Sequence, residues 1–358
     1  MPIKYSAYQR LSIRAVKKKI PLQCVFEITY QCNLHCVHCY LAGRPPRKEL
    51  KLKNIFQILD ELAQAGCLWL VLTGGEILLH KDFFKIAAYA RQKNFNLILL
   101  TNGTLITKAV ADKLQTLKPC VDISLYGFKE THDKITGVPG SFEKTLKGIE
   151  LLLERGVRVS TKAVVMHENI DEVWRLRDFL EVLGVNVSIS PDALLISPRD
   201  NGGLEPLKYR VKDQRKLQEY FAESARRLKE TGKKFKLITE KGKDKLCGTG
   251  LSACSISPYG ELNPCVQIKL QKDNSLLERS FADIWRNHGE ISLLRSLTVA
   301  DKKDCFRCKF IGYCFRCPGI AKLERGSYTA KIPEACRLAK IQKKIFEKEK
   351  VFKQVPLE

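Results

Sequence analysis

The sequence predicts an α/β fold: six strand–helix units curved into a partial (β/α)6 TIM-like barrel, followed by a small cysteine-rich region. Three observations predict it. From residue 23 to about 231, short apolar runs alternate with helix-length amphipathic segments, the pattern of a parallel sheet wrapped by helices. Loop and turn residues stand directly after the apolar runs, on the rim where parallel α/β folds bind ligands. After about residue 240 the alternation stops and cysteines take over.

The candidate strands are 24–28 (Cys-Val-Phe-Glu-Ile), 68–73 (Leu-Trp-Leu-Val-Leu-Thr), 96–101 (Asn-Leu-Ile-Leu-Leu-Thr), 121–125, 158–165 and 185–189. The candidate helices after them are 54–65, 83–93, 108–117, 142–155, 171–183 and 213–231. Six units are two short of a closed eightfold barrel. An open, curved sheet is the economical expectation, and a doubly wound flat sheet is its rival. Residues 1–22 form an N-terminal extension, 23–235 the barrel, 236–345 the cysteine-rich domain and 346–358 a basic tail. Between 191 and 212 the composition turns to Pro, Gly, Asn and Arg, as in a linker or a substrate-facing loop.

Composition removes several classes. With 358 residues and 44% hydrophobic content the chain can bury a large core, which excludes disorder and collagen-like structure. No apolar run reaches the roughly 18 residues of a membrane span, and no secretory signal opens the chain, so a soluble cytoplasmic protein is expected. Lys plus Arg number 62 against 39 Asp plus Glu, a formal charge of +23 that could attract nucleic acid, an anionic membrane face or an acidic peptide. The basic residues are spread along the chain, and aromatic interleaving of the base-stacking kind is absent. Neither nucleic acid nor membrane is an expected partner.

The fourteen cysteines say more. A reducing cytosol disfavours a disulfide scaffold, so clustered thiols point to metal. Cys32, Cys36 and Cys39 form one group; Cys247, Cys254 and Cys265 a second; Cys305, Cys308, Cys314, Cys317 and Cys336 a third. Cys24, Cys67 and Cys120 stand in or beside apolar runs, as buried structural thiols do. The loop Cys32-Asn-Leu-His-Cys36-Val-His-Cys39 can wrap one corner of a cubane, leaving one iron free for a small ligand. Zinc held by Cys with His35 or His38 is the alternative for this loop, and a zinc knuckle is the alternative for 305–317.

The C-x3-C-x2-C loop after the first strand resembles the radical S-adenosylmethionine (radical SAM) superfamily, whose hallmark it is. Gly74-Gly75-Glu76 after the second strand is similar to the family's GGE motif, with Ile77 where the family usually has Pro. The resemblance implies a 4Fe–4S cluster on Cys32, Cys36 and Cys39 and S-adenosylmethionine bound by Tyr40, Gly74, Gly75, Glu76, Thr101, Asn102, Ser124 and Lys162. It also implies reductive cleavage of the sulfonium to a 5′-deoxyadenosyl radical that takes hydrogen from a substrate. No catalytic triad or acid–base pair stands out; Asp192, after the sixth strand, is a candidate proton acceptor, with a helix cap or surface turn as its plain alternative.

Downstream, Cys247, Gly260-Glu-Leu-Asn-Pro-Cys265, Cys305-x2-Cys308-x5-Cys314-x2-Cys317 and Cys336 resemble the SPASM extension, with x2 where that pattern has x3 before its penultimate cysteine. By that resemblance a first auxiliary 4Fe–4S cluster uses Cys247, Cys254, Cys265 and Cys317, and a second uses Cys305, Cys308, Cys314 and Cys336. Full ligation would leave no auxiliary iron for substrate and imply a role in electron transfer. Gly248-Thr-Gly250-Leu-Ser-Ala253 matches a dinucleotide fingerprint but lies between two of these thiols with no helix and second strand after it, so a cluster-wrapping loop is expected.

The resemblance implies a peptide maturase that installs a carbon–carbon or thioether bond, or an epimerised centre, in a ribosomally made peptide or protein. A reducing partner such as ferredoxin or flavodoxin is implied. About 22 residues precede the first strand, so a separate peptide-recognition protein or the basic surface would supply recognition. Val266 stands where the sulfatase-maturating branch has Asp, which argues against that branch. Two alternatives stay open: a radical enzyme acting on a tetrapyrrole or other cofactor precursor, and a non-catalytic iron–sulfur carrier.

Overall fold

In the computed structural model, which describes residues 7–44, 47–188, 194–239 and 243–356, the expected alternation is realised nearly element for element. In chain order the elements are α1 (Ala7–Lys18), β1 (Gln23–Thr29), α2 (Leu52–Gln64), β2 (Trp69–Gly74), α3 (Phe83–Gln92), β3 (Asn96–Thr101), α4 (Lys108–Leu117) and β4 (Cys120–Ser124). Next come α5 (Lys129–Thr136), α6 (Ser141–Leu153), β5 (Arg158–Lys162), α7 (Val173–Val182), β6 (Asn186–Ser188), α8 (Gln214–Glu230) and β7 (Phe235–Thr239). The cysteine-rich part supplies β8 (Ala253–Ile256), β9 (Leu262–Asn263), α9 (Phe281–Asn287), α10 (Gly289–Ser296), α11 (Pro318–Arg325), α12 (Pro333–Lys348) and β10 (Phe352–Pro356).

Sheet order decides between the two expected architectures. The strands run β6-β5-β4-β3-β2-β1-β8-β9, so the first six stand in sequential order and pair in parallel. A doubly wound sheet reverses its order at a switch point. Without a reversal, crossovers of one hand put the helices on one face and curve the other inward, as in a barrel.

Strand periodicity then divides the side chains. Cys24, Phe26 and Ile28 of β1, Leu70 and Leu72 of β2, Leu97 and Leu99 of β3, and Val121 and Ile123 of β4 join the helix-side core. They meet Ile55, Ile58, Leu59 and Leu62, which recur on one face of α2. The intervening residues Val25, Val71, Ile98, Asp122 and Ser124 line the opposite, concave face.

Four features depart from expectation. The polar octet of α5 is helical; it stops at Gly137, and Asp133 accepts from Gly140 N and Phe142 N to start α6. The N-terminal extension contains α1, to whose end α9 is tied by Trp285 Nε1 donating to Lys19 O at 2.7 Å. The described part of the expected basic tail, 346–356, is not free: it completes α12 and forms β10, which pairs in parallel with β7. The cause is apolar content within the basic run: Phe346 and Val351 pack with Phe221 and Leu217 of α8. Finally, β8 pairs in parallel with β1, so the cysteine-rich part extends the barrel sheet itself.

Candidate active site

Cys32, Cys36 and Cys39 lie on the loop that leaves β1, and all three line one cavity of about 1820 Å3 on the concave face. The loop is clamped from below. His35 N and Val37 N donate to the last carbonyls of α5, Thr136 O at 2.8 Å and Ile135 O at 3.0 Å. Asn33, inside the loop, bonds the segment after β3: its amide donates to Thr104 Oγ1, and it accepts from Asn102 Nδ2, both at 2.9 Å. Burial, then the neighbouring Cys39 and Cys32 thiols, push Cys36 up to about 12; burial is also the first cause raising Cys32 and Cys39. Three crowded thiols that resist ionisation alone suit a site whose charge a cationic group completes. The donor set therefore fits an iron–sulfur cluster.

Gly74 and Gly75 bring the second motif against the first. Gly75 N donates to Thr29 O at 2.8 Å and Glu76 N to Gln31 O at 2.7 Å, so the β2 loop lies on the root of the cysteine loop. Gly74 has φ +142°, and a Cβ there would stand 2.0 Å from Thr29 O; one on Gly75 would stand 2.2 Å from Gln31 O. Only glycine permits that approach.

Of the residues expected to hold S-adenosylmethionine, Tyr40, Gly74, Gly75, Thr101, Asn102, Ser124 and Lys162 line this cavity. Glu76 does not: it is wholly buried, accepting from Thr101 Oγ1 (2.7 Å), Asn102 N (2.7 Å) and Leu78 N (3.1 Å), and burial raises its pKa. Its carboxylate ties β2 to β3 and so positions the two loops. Lys162 Nζ pairs with Asp122 across the concave face at 2.6 Å. Tyr40 spends its hydroxyl on Glu27 at 2.6 Å. His38 is buried edge-on to Tyr126, with ring centroids 4.7 Å apart, and burial lowers it to about 4, which keeps the ring neutral. Asp192 lies outside the described residues.

The structure adds residues that motif reading passed over. Glu27, the lone acid in the first apolar strand, is buried beneath the cysteine loop, where it accepts from Tyr30, Tyr40 and Lys269. Asp200 stands beside that group, ion-paired to Arg44. A charge inside an otherwise apolar strand was the available signal.

The C-terminal thiols fall into two sets. Burial first, then Cys317 and Cys247, push Cys265 up to about 12, and Cys317 caps α11 by accepting from Ile320 N. Cys317 thus stands near Cys247 and Cys265. Cys305, Cys314 and Cys336 wall a small cavity, and burial first, then Cys336, Cys305 and Cys308, raise Cys314 to about 11. Lys302, almost wholly buried, lines the same cavity and sits close enough to Cys317 to be perturbed by both sets.

One expected ligand is elsewhere. Cys254 is 1% exposed on β8, in register with Cys24 of β1, and its thiol donates to Gln23 O at 3.8 Å. It belongs to the helix-side core with Cys24 and Cys67. The resemblance implied a ligand here; in the structure strand pairing with β1 sets the residue in the helix-side core. Among the described residues, no group of three or more His, Cys, Asp or Glu side chains is placed to hold a single metal ion. No described helix is long and apolar enough to cross a membrane.

Comparison with known proteins agrees with this geometry. The Radical SAM superfamily profile matches residues 26–180. AdoMet-dependent heme synthase of Methanosarcina barkeri is 29% identical over 335 residues, covering 87% of this chain and 95% of that protein. The antilisterial bacteriocin subtilosin biosynthesis protein AlbA of Bacillus subtilis is 30% identical over 306 residues, covering 83% of this chain and 67% of that protein. The crystal structure of Streptococcus suis SuiB bound to precursor peptide SuiA superposes with a TM-score of 0.70 at 17% identity, over 94% of this chain and 83% of that one.

Proposed function

The chain belongs to the radical SAM superfamily and carries a SPASM-type C-terminal region, and from that premise we propose that it is an oxidoreductase maturing a ribosomally made peptide or protein. Bound on Cys32, Cys36 and Cys39, a 4Fe–4S cluster with S-adenosylmethionine supplies one-electron cleavage of the sulfonium and hydrogen abstraction from substrate. The observation that carries the reading is the interlock of Thr29–Gln31 with Gly74–Glu76, which brings three thiols and the glycine loop to one cavity.

The chain's own residues then have distinct tasks. The Gly74-Gly75 backbone lies bare beside the thiol loop for the nucleotide's methionine end. Lys162 offers an ammonium for its carboxylate, exchanging Asp122 for that partner. The concave wall of Val25, Val71, Ile98 and Leu100 keeps water from a reactive intermediate. The two C-terminal thiol sets would hold auxiliary clusters, which would supply a route for an electron away from or back to the substrate. A ferredoxin- or flavodoxin-type donor reduces the chain, and the compartment is the cytoplasm.

A second reading has its own support. The heme synthase matches over 95% of its length, which favours a tetrapyrrole substrate. In the cavity lining basic side chains outnumber acidic ones two to one, which suits either an acidic peptide or porphyrin propionates. Anaerobically reconstituted protein should bind about twelve irons. It should also turn S-adenosylmethionine into 5′-deoxyadenosine under dithionite; intact reduced clusters without cleavage would overturn the enzyme reading. Mass change in a co-expressed precursor peptide supports maturation, whereas decarboxylation of an iron porphyrin supports the second reading.

A further inference from the structure

We propose that Arg199 and Lys208 form a carboxylate-binding subsite on the cavity wall, which receives a carboxylate of the substrate. The proposal rests on the reading of this cavity as the active site and deepens it: an acidic peptide and a porphyrin propionate both supply that group.

One segment builds this wall. After the buried residues 194–196 the chain turns, with Arg199 N donating to Gly203 O at 2.7 Å, and then forms a short 3-10 helix, Glu205–Tyr209. The segment is fastened at both ends. Asp200 N donates to Tyr40 O at 3.1 Å, and Arg210 donates to Ile196 O and pairs with the nearly buried Glu324. Arg199, Glu205, Lys208 and Tyr209 all line the cavity. A subsite on a segment held in this way needs little ordering when it binds.

The cations of the lining are not equally matched. Arg44 donates through Nε and Nη2 to both oxygens of Asp200, Arg47 pairs with Glu261 and Lys162 with Asp122. Arg199 is left open. Its Nη1 reaches Glu205 only at 3.4 Å, that carboxylate is 58% exposed, and among the described residues nothing accepts from its buried Nε. A buried charged donor without an acceptor is costly, and a guanidinium edge grips a carboxylate with two parallel bonds, as Arg44 grips Asp200. Lys208 follows Glu205 by three residues in the 3-10 helix, where side chains at that spacing stand one above the other. Its Nζ lies 5.0 Å from the centre of the Tyr209 ring, and it forms no ion pair among the described residues. Two cations thus share one acid that faces mostly water. Two glycines set the place. A Cβ on Gly43, four residues beyond Cys39, would stand 3.2 Å from Arg199 Nη1, and one on Gly203 would stand 3.2 Å from Arg199 Cδ. The guanidinium therefore lies between the exit of the cysteine loop and the turn at 199–203.

The test is equilibrium dialysis of anaerobically reconstituted full-length protein against two acids, each beside its uncharged form: mesoporphyrin IX with its dimethyl ester, and a hexaglutamate peptide with hexaglutamine. Wild type should bind at least one acid about tenfold more tightly than the uncharged form. Arg199→Met should weaken that acid about tenfold, and Lys208→Met about threefold, with the uncharged form unmoved. Arg199→Lys should recover part of the loss. Glu205→Gln, which frees the guanidinium from its one acid, should tighten the acid about threefold, a gain that a merely structural role of the 3-10 helix does not produce. Lys53→Met, which removes an equal charge from an exposed position on α2, should change neither probe. The responding acid names the source: mesoporphyrin a propionate, hexaglutamate a peptide side chain. Binding of neither acid overturns the subsite, as does equal weakening of acid and uncharged form in Arg199→Met, or a loss of the same size in Lys53→Met. Should Arg199→Met fail to fold, the sign of the Glu205→Gln shift decides. Cleavage of S-adenosylmethionine by the same wild-type preparation reports on the enzyme reading separately: cleavage without carboxylate-dependent binding removes only the subsite, and such binding without cleavage removes only the enzyme reading.

Discussion

Lys269 Nζ lies 3.0 Å from the carboxylate of Glu27, which has no solvent exposure, although 242 residues separate them. One belongs to the cysteine-rich part and the other to the first barrel strand, so the contact locks the two directly beneath the cysteine loop. The same carboxylate accepts from Tyr30 and Tyr40, and Lys269 also stands 3.8 Å from Asp200. A buried acid with three donors is satisfied; without the Lys269 ammonium it loses the cation it is ion-paired to. Lys269→Met should cost about 3 kcal/mol in anaerobic denaturant unfolding. Lys269→Arg should recover part of that loss. An unchanged midpoint for Lys269→Met would show that the contact with Glu27 contributes nothing to folding.

The glycine loop offers a sharper functional test. Gly75→Ala must push the β2 loop away from Gln31 O, since its Cβ would stand 2.2 Å from that oxygen. A displacement near 1 Å at a reacting centre costs on the order of a hundredfold in rate. Gly75→Ala should therefore lower 5′-deoxyadenosine formation about a hundredfold while leaving bound iron unchanged. Gly289→Ala, where nothing stands within 4 Å of the new Cβ, should leave the rate alone.

Much of the barrel was legible because apolar period and length separate strands from helices: the span expected as 108–117 is α4, and 96–101 is β3. The thiol loop and the two glycines were legible as local spacing. What escaped was non-local. The run Ala-Cys-Ser-Ile at β8 looks like cluster loop until its pairing with β1 is known, and that pairing decides which way Cys254 faces. For Glu76, motif order carried no information on the bonds its carboxylate makes to Thr101 and Asn102 at the next strand. The octet of α5 carries four charged residues and little apolar signal; it is helical because its ends are used, by Gly137 as cap and by the cysteine loop as donor.

His132 on α5 gives the apo chain a pH signature. Its Nδ1 accepts from Tyr126 N at 3.2 Å, and burial lowers it from its ordinary value of 6.5 to about 4, against the opposing pull of Asp133 and Glu143. Below pH 6.5 the unfolded chain binds a proton that the folded chain refuses, so stability is lost as pH falls toward 4. The loss is at most about 3 kcal/mol. Thermal unfolding of apo protein from pH 7 to 4.5 should show a shallower decline for His132→Asn, whose amide oxygen still accepts from Tyr126 N. Parallel declines in the two proteins would remove His132 as the cause.

Lys302 yields a prediction for electron transfer. Its side chain is almost wholly buried, it lines the cavity walled by Cys305, Cys314 and Cys336, and it is close enough to Cys317 of the other set for their charges to interact. Burial lowers its pKa and the thiols of Cys305, Cys314 and Cys317 raise it, so anionic sulfur around it favours the ammonium. With clusters bound on both sets, a fixed positive charge between them favours the reduced state of each. Lys302→Met should shift both auxiliary midpoint potentials to more negative values, read by potentiometric titration of the reduced-cluster EPR signals. Lys302→Arg, which keeps the charge, should shift them less. The iron count should hold in both variants, because Lys302 is no ligand; a fall in iron with unmoved potentials would mean that it only packs the fold.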